Sequence, residues 1–98
     1  MSCVLLDLNY PGFQEALFAL EKDELSSVFA TLNKVRRLDW TQFYADRGLR
    51  WEAVLSRQGS GGRRIYSFRV TKRVRAVDFR DGDWLRLLSI HPDHDSAY

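Results

Sequence analysis

Apolar positions recur every three or four residues in the first half of the chain and alternate in much of the second. Phe13, Ala16, Leu17 and Leu20 follow helical spacing after the turn Asn9-Tyr10-Pro11-Gly12, where Pro11 suits a helix start. Leu25, Val28, Phe29, Leu32 and Val35 make a second stripe, which predicts a helix over 23–37 with Asp23 as its candidate cap. A third short helix is expected from Asp39 to Asp46, with Trp40, Phe43 and Tyr44 on its apolar side and Gly48 ending it. These helices are expected to pack on a sheet. Cys3 to Leu8 is short and apolar and reads as a first strand, with Cys3 as a small apolar residue within it.

Beyond Gly48 the period changes. Trp51 to Leu55 fits a strand or a helical turn, and the glycine-rich Ser56 to Gly62 reads as a loop. That loop lacks the Lys-Ser/Thr ending of a phosphate-binding P-loop. From Arg63 to Thr71, Tyr66, Phe68 and Val70 alternate with Ser67, Arg69 and Thr71. The aromatic side is expected to meet the helices, leaving the Arg69 side open. Val74 to Phe79 and Trp84 to Ile90 are further strands, joined by a turn at Asp81-Gly82. Arg75 shares a face with Val77 and Phe79, and Arg86 with Trp84, Leu88 and Ile90. The expectation is a single α+β domain over 1–98: a strand, two or three helices, then a three-stranded antiparallel meander.

Charge sharpens this picture. The net charge is only +2, yet residues 50–98 hold 10 of the 15 basic side chains. No acidic residue occurs from Arg57 to Arg75, a run that includes Arg63, Arg64, Arg69, Lys72, Arg73 and Arg75. Arginine offers a planar fork of donors that fits phosphate and stacks on bases. Together with Arg86 on the last strand, these side chains predict a phosphate-binding surface, with RNA as the expected polyanion. Taken singly, each arginine is better explained by a solvated edge or a surface ion pair with Asp78, Asp81 or Asp83; the phosphate-binding expectation rests on their coming together on adjacent strands.

Other classes of chemistry find little support. The one cysteine, Cys3, allows neither a disulfide framework nor a multi-cysteine zinc site. His91 and His94 are the only histidines, too few to complete a zinc site with the carboxylates around them, so neither metal nor cofactor is expected. The segment Met1 to Leu8 lacks the cationic start of a signal peptide, and no apolar run approaches ~20 residues, so no membrane association is expected and the cytoplasm is the expected location. The closing residues His91-Pro92-Asp93-His94-Asp95-Ser96-Ala97-Tyr98 gather imidazoles, carboxylates and a phenol. They read either as a polar coil or as a source of acid–base groups.

The stretches Ile65 to Val70, Arg75 to Val77, Trp84 to Ile90 and His94 to Tyr98 resemble the RelE/ParE toxin superfamily, as does the order of elements. The resemblance implies the toxin of a bacterial toxin–antitoxin pair, with a cognate antitoxin as partner. It implies, in the nuclease branch, cleavage of ribosome-bound messenger RNA. Arg75 then matches the phosphate-facing arginine of the middle meander strand, and Arg69 the strand arginine before it. Tyr98 matches the closing tyrosine, and His94 a position often held by His or Arg. Glu52 resembles the glutamate that some members use as base. His91, His94 and Tyr98 are the candidate acids. The strand before Arg69 lacks the lysines of the RelE branch, which keeps a non-catalytic ParE-type inhibitor of DNA gyrase open, as well as a relative that only binds its antitoxin.

Overall fold

The computed structural model describes residues 2–58, without the side chains of 55–58, and residues 63–92. Its elements run β1 (Leu5–Asp7), α1 (Pro11–Phe18), α2 (Lys22–Val35), α3 (Trp40–Ala45), β2 (Glu52–Gln58), β3 (Arg64–Arg69), β4 (Arg75–Asp81) and β5 (Trp84–His91). The fold is α+β, as the two periodicities predict. The sheet has five strands in the order β1-β5-β4-β3-β2. The meander therefore has four antiparallel strands rather than three, and β1 returns to pair parallel with β5.

Helix α1 starts with Pro11, whose missing N–H is harmless in a first turn. Helix α2 begins at Lys22 with Glu21 as the flanking residue, so Asp23 lies inside its first turn rather than capping it. There its negative charge faces the positive end of the helix dipole. Helix α3 carries a capping box. The Asp39 carboxylate accepts from the Gln42 amide at 2.7 Å, and the Gln42 side chain accepts from the Asp39 amide at 3.0 Å. Cys3 is exposed and lies outside β1, where it forms only an isolated bridge with Asp39.

The main core lies between the helices and one sheet face. It joins Phe13, Val28, Leu32, Phe43, Phe68 and Leu87, among others. Phe29 departs from the expected packing and is 49% exposed, because it sits about 100° round the helix from Val28 on the shoulder of the stripe. The opposite sheet face is not simply open either. Val54, Ile65 and Val77 form a second buried cluster there, flanked by Phe79 and Leu88. Ser67 is fully buried on the same face. The Arg69 side of β3 is thus apolar at one end and charged at the other.

Two register irregularities explain where plain alternation fails. The β4–β5 ladder shifts between Val77 and Asp78, so that Val77 faces Ser89 while Asp78 faces Leu87. Leu88 then joins the second cluster while Ile90 turns into the main core, instead of both sharing the Arg86 face. The β2–β3 ladder is irregular between Ala53 and Gln58. Residues 56–58, read from composition as loop, belong to β2. The hairpin turn falls on Gly82-Asp83, one residue later than expected, and Gly82 takes φ 61°, a conformation that glycine adopts without steric cost. Among the described residues, no helix is long and apolar enough to cross a membrane.

Candidate functional site

The short turn between β3 and β4 is tightly built. The amides of Val70 and Thr71 donate to the Val74 carbonyl at 2.9 and 3.2 Å. The Thr71 hydroxyl oxygen accepts from the amides of Arg73 and Val74 at 3.3 and 3.1 Å. From α2, the Thr31 hydroxyl donates to the Val70 carbonyl at 2.6 Å, which fixes the turn to the helix layer. This geometry holds Lys72 and Arg73 out in solvent and sets Arg69 directly across from Arg75.

A second segment closes on that pair. The Asp46 carboxylate is bound by Lys34 at 2.9 Å and accepts from the Leu49 amide at 3.0 Å. The Lys34 contact is the main cause that holds the Asp46 carboxyl below its ordinary value. The Arg69 amide donates to the Leu49 carbonyl at 2.6 Å. Arg50 then takes φ 49°, unusual for a residue with a Cβ, and turns the chain into β2. Glu52 follows on the Arg69–Arg75 side of the sheet.

The result is a groove of about 260 Å³ lined by Arg50, Glu52, Arg69, Lys72, Arg73 and Arg75. Five cations meet one carboxylate there. Arg75 is only 5% exposed, and its Nη1 lies 3.6 Å from Glu52 Oε1. Like charges directly opposite on a sheet repel. Glu52 offsets part of the Arg69–Arg75 repulsion, and a bound anion would offset more. Arg69 Nε is buried with no hydrogen-bond partner among the described residues. His91 extends the row, since its Cα is the ladder partner of Arg75, and its Nε2 lies 2.9 Å from the Ser89 hydroxyl. Arg69, Arg75 and His91 thus form one line across three strands. Such a line can clamp a phosphodiester and place a carboxylate and an imidazole beside it.

The other residues singled out by sequence go elsewhere. Arg86 donates to Asp7 at 2.7 Å and to Asp81 at 3.0 Å, which commits it to an ion-pair network. Burial alone would raise the Asp7 carboxyl, but Arg86 and the Asn9 amide together hold it below its usual value. Arg63 pairs with Asp81 at 3.2 Å and lies over the Phe79 ring. Arg64 is exposed at the start of β3, away from the groove. His94 and Tyr98 lie outside the described residues. Arg50 escaped the sequence reading because nothing in the local pattern marks its turn. Among the described residues, no three His, Cys, Asp or Glu side chains gather as metal ligands.

Behind the groove, on the helix side of β4, Asp78 is fully buried. Burial pushes its carboxyl well above the ordinary range, opposed only by the hydrogen bond that the Trp51 indole donates at 2.9 Å. A group raised in the folded state contributes its full stability below the unfolded value, and that contribution is lost as pH rises through the folded value. Asp78→Asn is therefore expected to stabilise the protein near pH 8, with the gain shrinking toward pH 4. Urea titrations at the two pH values check this, and an equal difference at both would contradict it.

No family model matches the chain, and no curated protein matches it. Two solved structures share the fold. A copper-bound mutant toxin from Helicobacter pylori aligns over 100% of both chains with TM-score 0.50 and 19% identity. The archaeal RelE–RelB complex from Pyrococcus horikoshii aligns over 96% of this chain and 98% of that one, with TM-score 0.59 and 14% identity. The chain has a RelE-like fold.

Proposed function

We propose that this protein is the toxin of a type II toxin–antitoxin pair and acts as a ribosome-dependent endoribonuclease on messenger RNA, without a metal. The observation that carries this reading is the Glu52–Arg75 pair inside a groove of five cations. The likeness in fold to a toxin and to RelE in its complex with RelB supports the toxin role, with a cognate antitoxin as partner. An antitoxin segment with acidic side chains would neutralise the same groove and hold the toxin inactive.

RNA can be cut by its own 2′-hydroxyl attacking the adjacent phosphorus. Glu52 takes the 2′ proton, and the departing 5′ oxygen receives a proton from His91, giving a cyclic phosphate end. Arg69 and Arg75 hold the extra negative charge that develops on the phosphate. Lys72, Arg73 and Arg50 draw in the neighbouring phosphates. His94 and Tyr98 are the other candidates for the acid, and Tyr98 also for stacking on a base.

Induced expression followed by primer extension tests the reading. Discrete cuts in message are expected with the wild type. Glu52→Gln should slow cutting by ~10²–10⁴, the usual span for a general base, while message binding persists. Uncut message beside arrested growth would instead indicate a non-catalytic inhibitor of a protein target such as DNA gyrase.

A further inference from the structure

A second groove lies on the helix side of the sheet, and the nuclease reading does not use it. Its volume is about 460 Å³, and Tyr44, Trp51, Tyr66, Arg63, Arg64 and Arg80 line it. That volume falls within the ~300–1,000 Å³ of clefts that bind small ligands. The Trp51 and Tyr66 rings are already stacked, with centroids 3.9 Å apart and planes 18° from parallel. Tyr44 is 47% exposed and lies 4.8 Å from Trp51 between centroids. The Tyr44 hydroxyl accepts from Arg80 Nη1 at 2.5 Å, and the Arg80 guanidinium sits 4.0 Å from the centre of the Trp40 ring. The Asp78 carboxyl oxygen accepts from the Trp51 indole and pins it from below. The aromatic surface is thus rigid, and arginines stand around it.

This groove is continuous with the cationic one. A third hollow, of about 340 Å³, shares Arg50 and Glu52 with the cationic groove and Tyr44 and Trp51 with the aromatic one. The link follows from strand geometry. Trp51 and Glu52 are adjacent in sequence, so they point to opposite faces of the sheet. Strand β2 is an edge strand, so a polymer can pass round it from one face to the other.

We propose that the aromatic groove binds single-stranded RNA, as the continuation of the strand held in the cationic groove. A base stacks against the Tyr44–Trp51–Tyr66 surface, and Arg63, Arg64 and Arg80 take the phosphates beside it. Rings offer a surface to every base, and arginines hold the backbone, so the groove accepts single strands with little sequence preference. A duplex hides its base faces and fits poorly. The proposal deepens the nuclease reading, since it concerns the same substrate, but it can be tested apart from it.

The test uses a short single-stranded RNA with one 2′-O-methyl residue at the cut site, which can bind without being cleaved. Binding to the full chain is followed by fluorescence anisotropy, and ultraviolet crosslinks are mapped to peptides. Tight binding with crosslinks at Tyr44, Trp51 or Tyr66 is expected, and weaker binding of the same sequence as a duplex. Tyr44→Ala should lose about tenfold or more in affinity, in line with one lost stacking contact. Arg64→Ala, at an exposed position, gives an independent loss that does not depend on the aromatic cluster. Arg75→Ala should keep the aromatic crosslinks. Unchanged affinity in both Tyr44→Ala and Arg64→Ala, or crosslinks confined to the cationic groove, would overturn the proposal. So would a result in which these variants change only the binding of an acidic protein segment. Crosslinks in the aromatic groove, with unmodified message on ribosomes left uncut by the same protein, would uphold the groove and refute the nuclease reading.

Discussion

Arg75→Ala is expected to abolish growth inhibition while the fold survives. Arg75 stands in the middle of the Arg69–Arg75–His91 row and faces Glu52 at 3.6 Å. It is the most buried cation of the groove, so its guanidinium is held in place before any substrate arrives. Removing one such preorganised contact costs on the order of 10²–10³ in rate. The fold has reason to tolerate the change. The direct repulsion between Arg69 and Arg75 disappears, and the loss falls beside a solvent-filled groove rather than in the main core. Arg75→Lys should recover only part of the activity, because an ammonium cannot present two parallel donors to a phosphate. Rates on programmed ribosomes, with circular dichroism of each variant, check both statements. Full toxicity in Arg75→Ala would remove this residue from the mechanism.

The largest effect on stability is expected from Phe43→Ala. The Phe43 ring is fully buried and meets Trp40, Trp51 and Phe68 at centroid distances of 5.5, 5.6 and 5.7 Å. It therefore joins α3 to β3 and to the start of β2, the segment that carries Glu52. Truncating a buried phenylalanine costs about 3–5 kcal/mol, against a total stability of roughly 5–15 kcal/mol for a small domain. The melting temperature should fall by on the order of 10–30 °C. Phe18→Ala, at a side chain 74% exposed, serves as the comparison and should stay within about 1 kcal/mol of wild type. Equal losses in the two variants would contradict the assigned core.

The helices and the last three strands were legible because their apolar side chains keep a single period. The stripe from Leu25 to Val35 and the alternation from Ile65 to Val70 need no knowledge of partners. Strand β2 was harder. Its glycine-bordered end looks like loop, and only its ladder with β3 makes it a strand. The shift at Leu87–Ser89 also escaped, since a bulge moves Ile90 to the other face without leaving a local mark.

The same division applies to the site. The pairing of Arg69 with Arg75 follows from a short turn between two strands, which sequence shows. The commitment of Arg86 to Asp7 depends on a parallel pairing between strands 79 positions apart, which it does not. Glu52 entered through a family likeness, and the ladder sets it on the face of Arg75. Tyr44 and Tyr66 read as aromatics packed between helix and sheet, and Trp51 only as the start of a segment that fits either strand or helical turn. Only the tertiary fold brings them together beside arginines.

In the proposed reaction the RNA's own 2′-hydroxyl is the nucleophile, and the cationic groove stabilises the phosphate under attack. The most direct measurement pairs purified protein with ribosomes carrying a defined message, in which the ribose at the mapped cut site bears either a 2′-hydroxyl or a 2′-O-methyl group. Cutting of the first message is expected, with a 2′,3′-cyclic phosphate on the new end, and none of the second. Cutting of the methylated message at the same place, or an intact hydroxyl message in the presence of toxic wild-type protein, would contradict it.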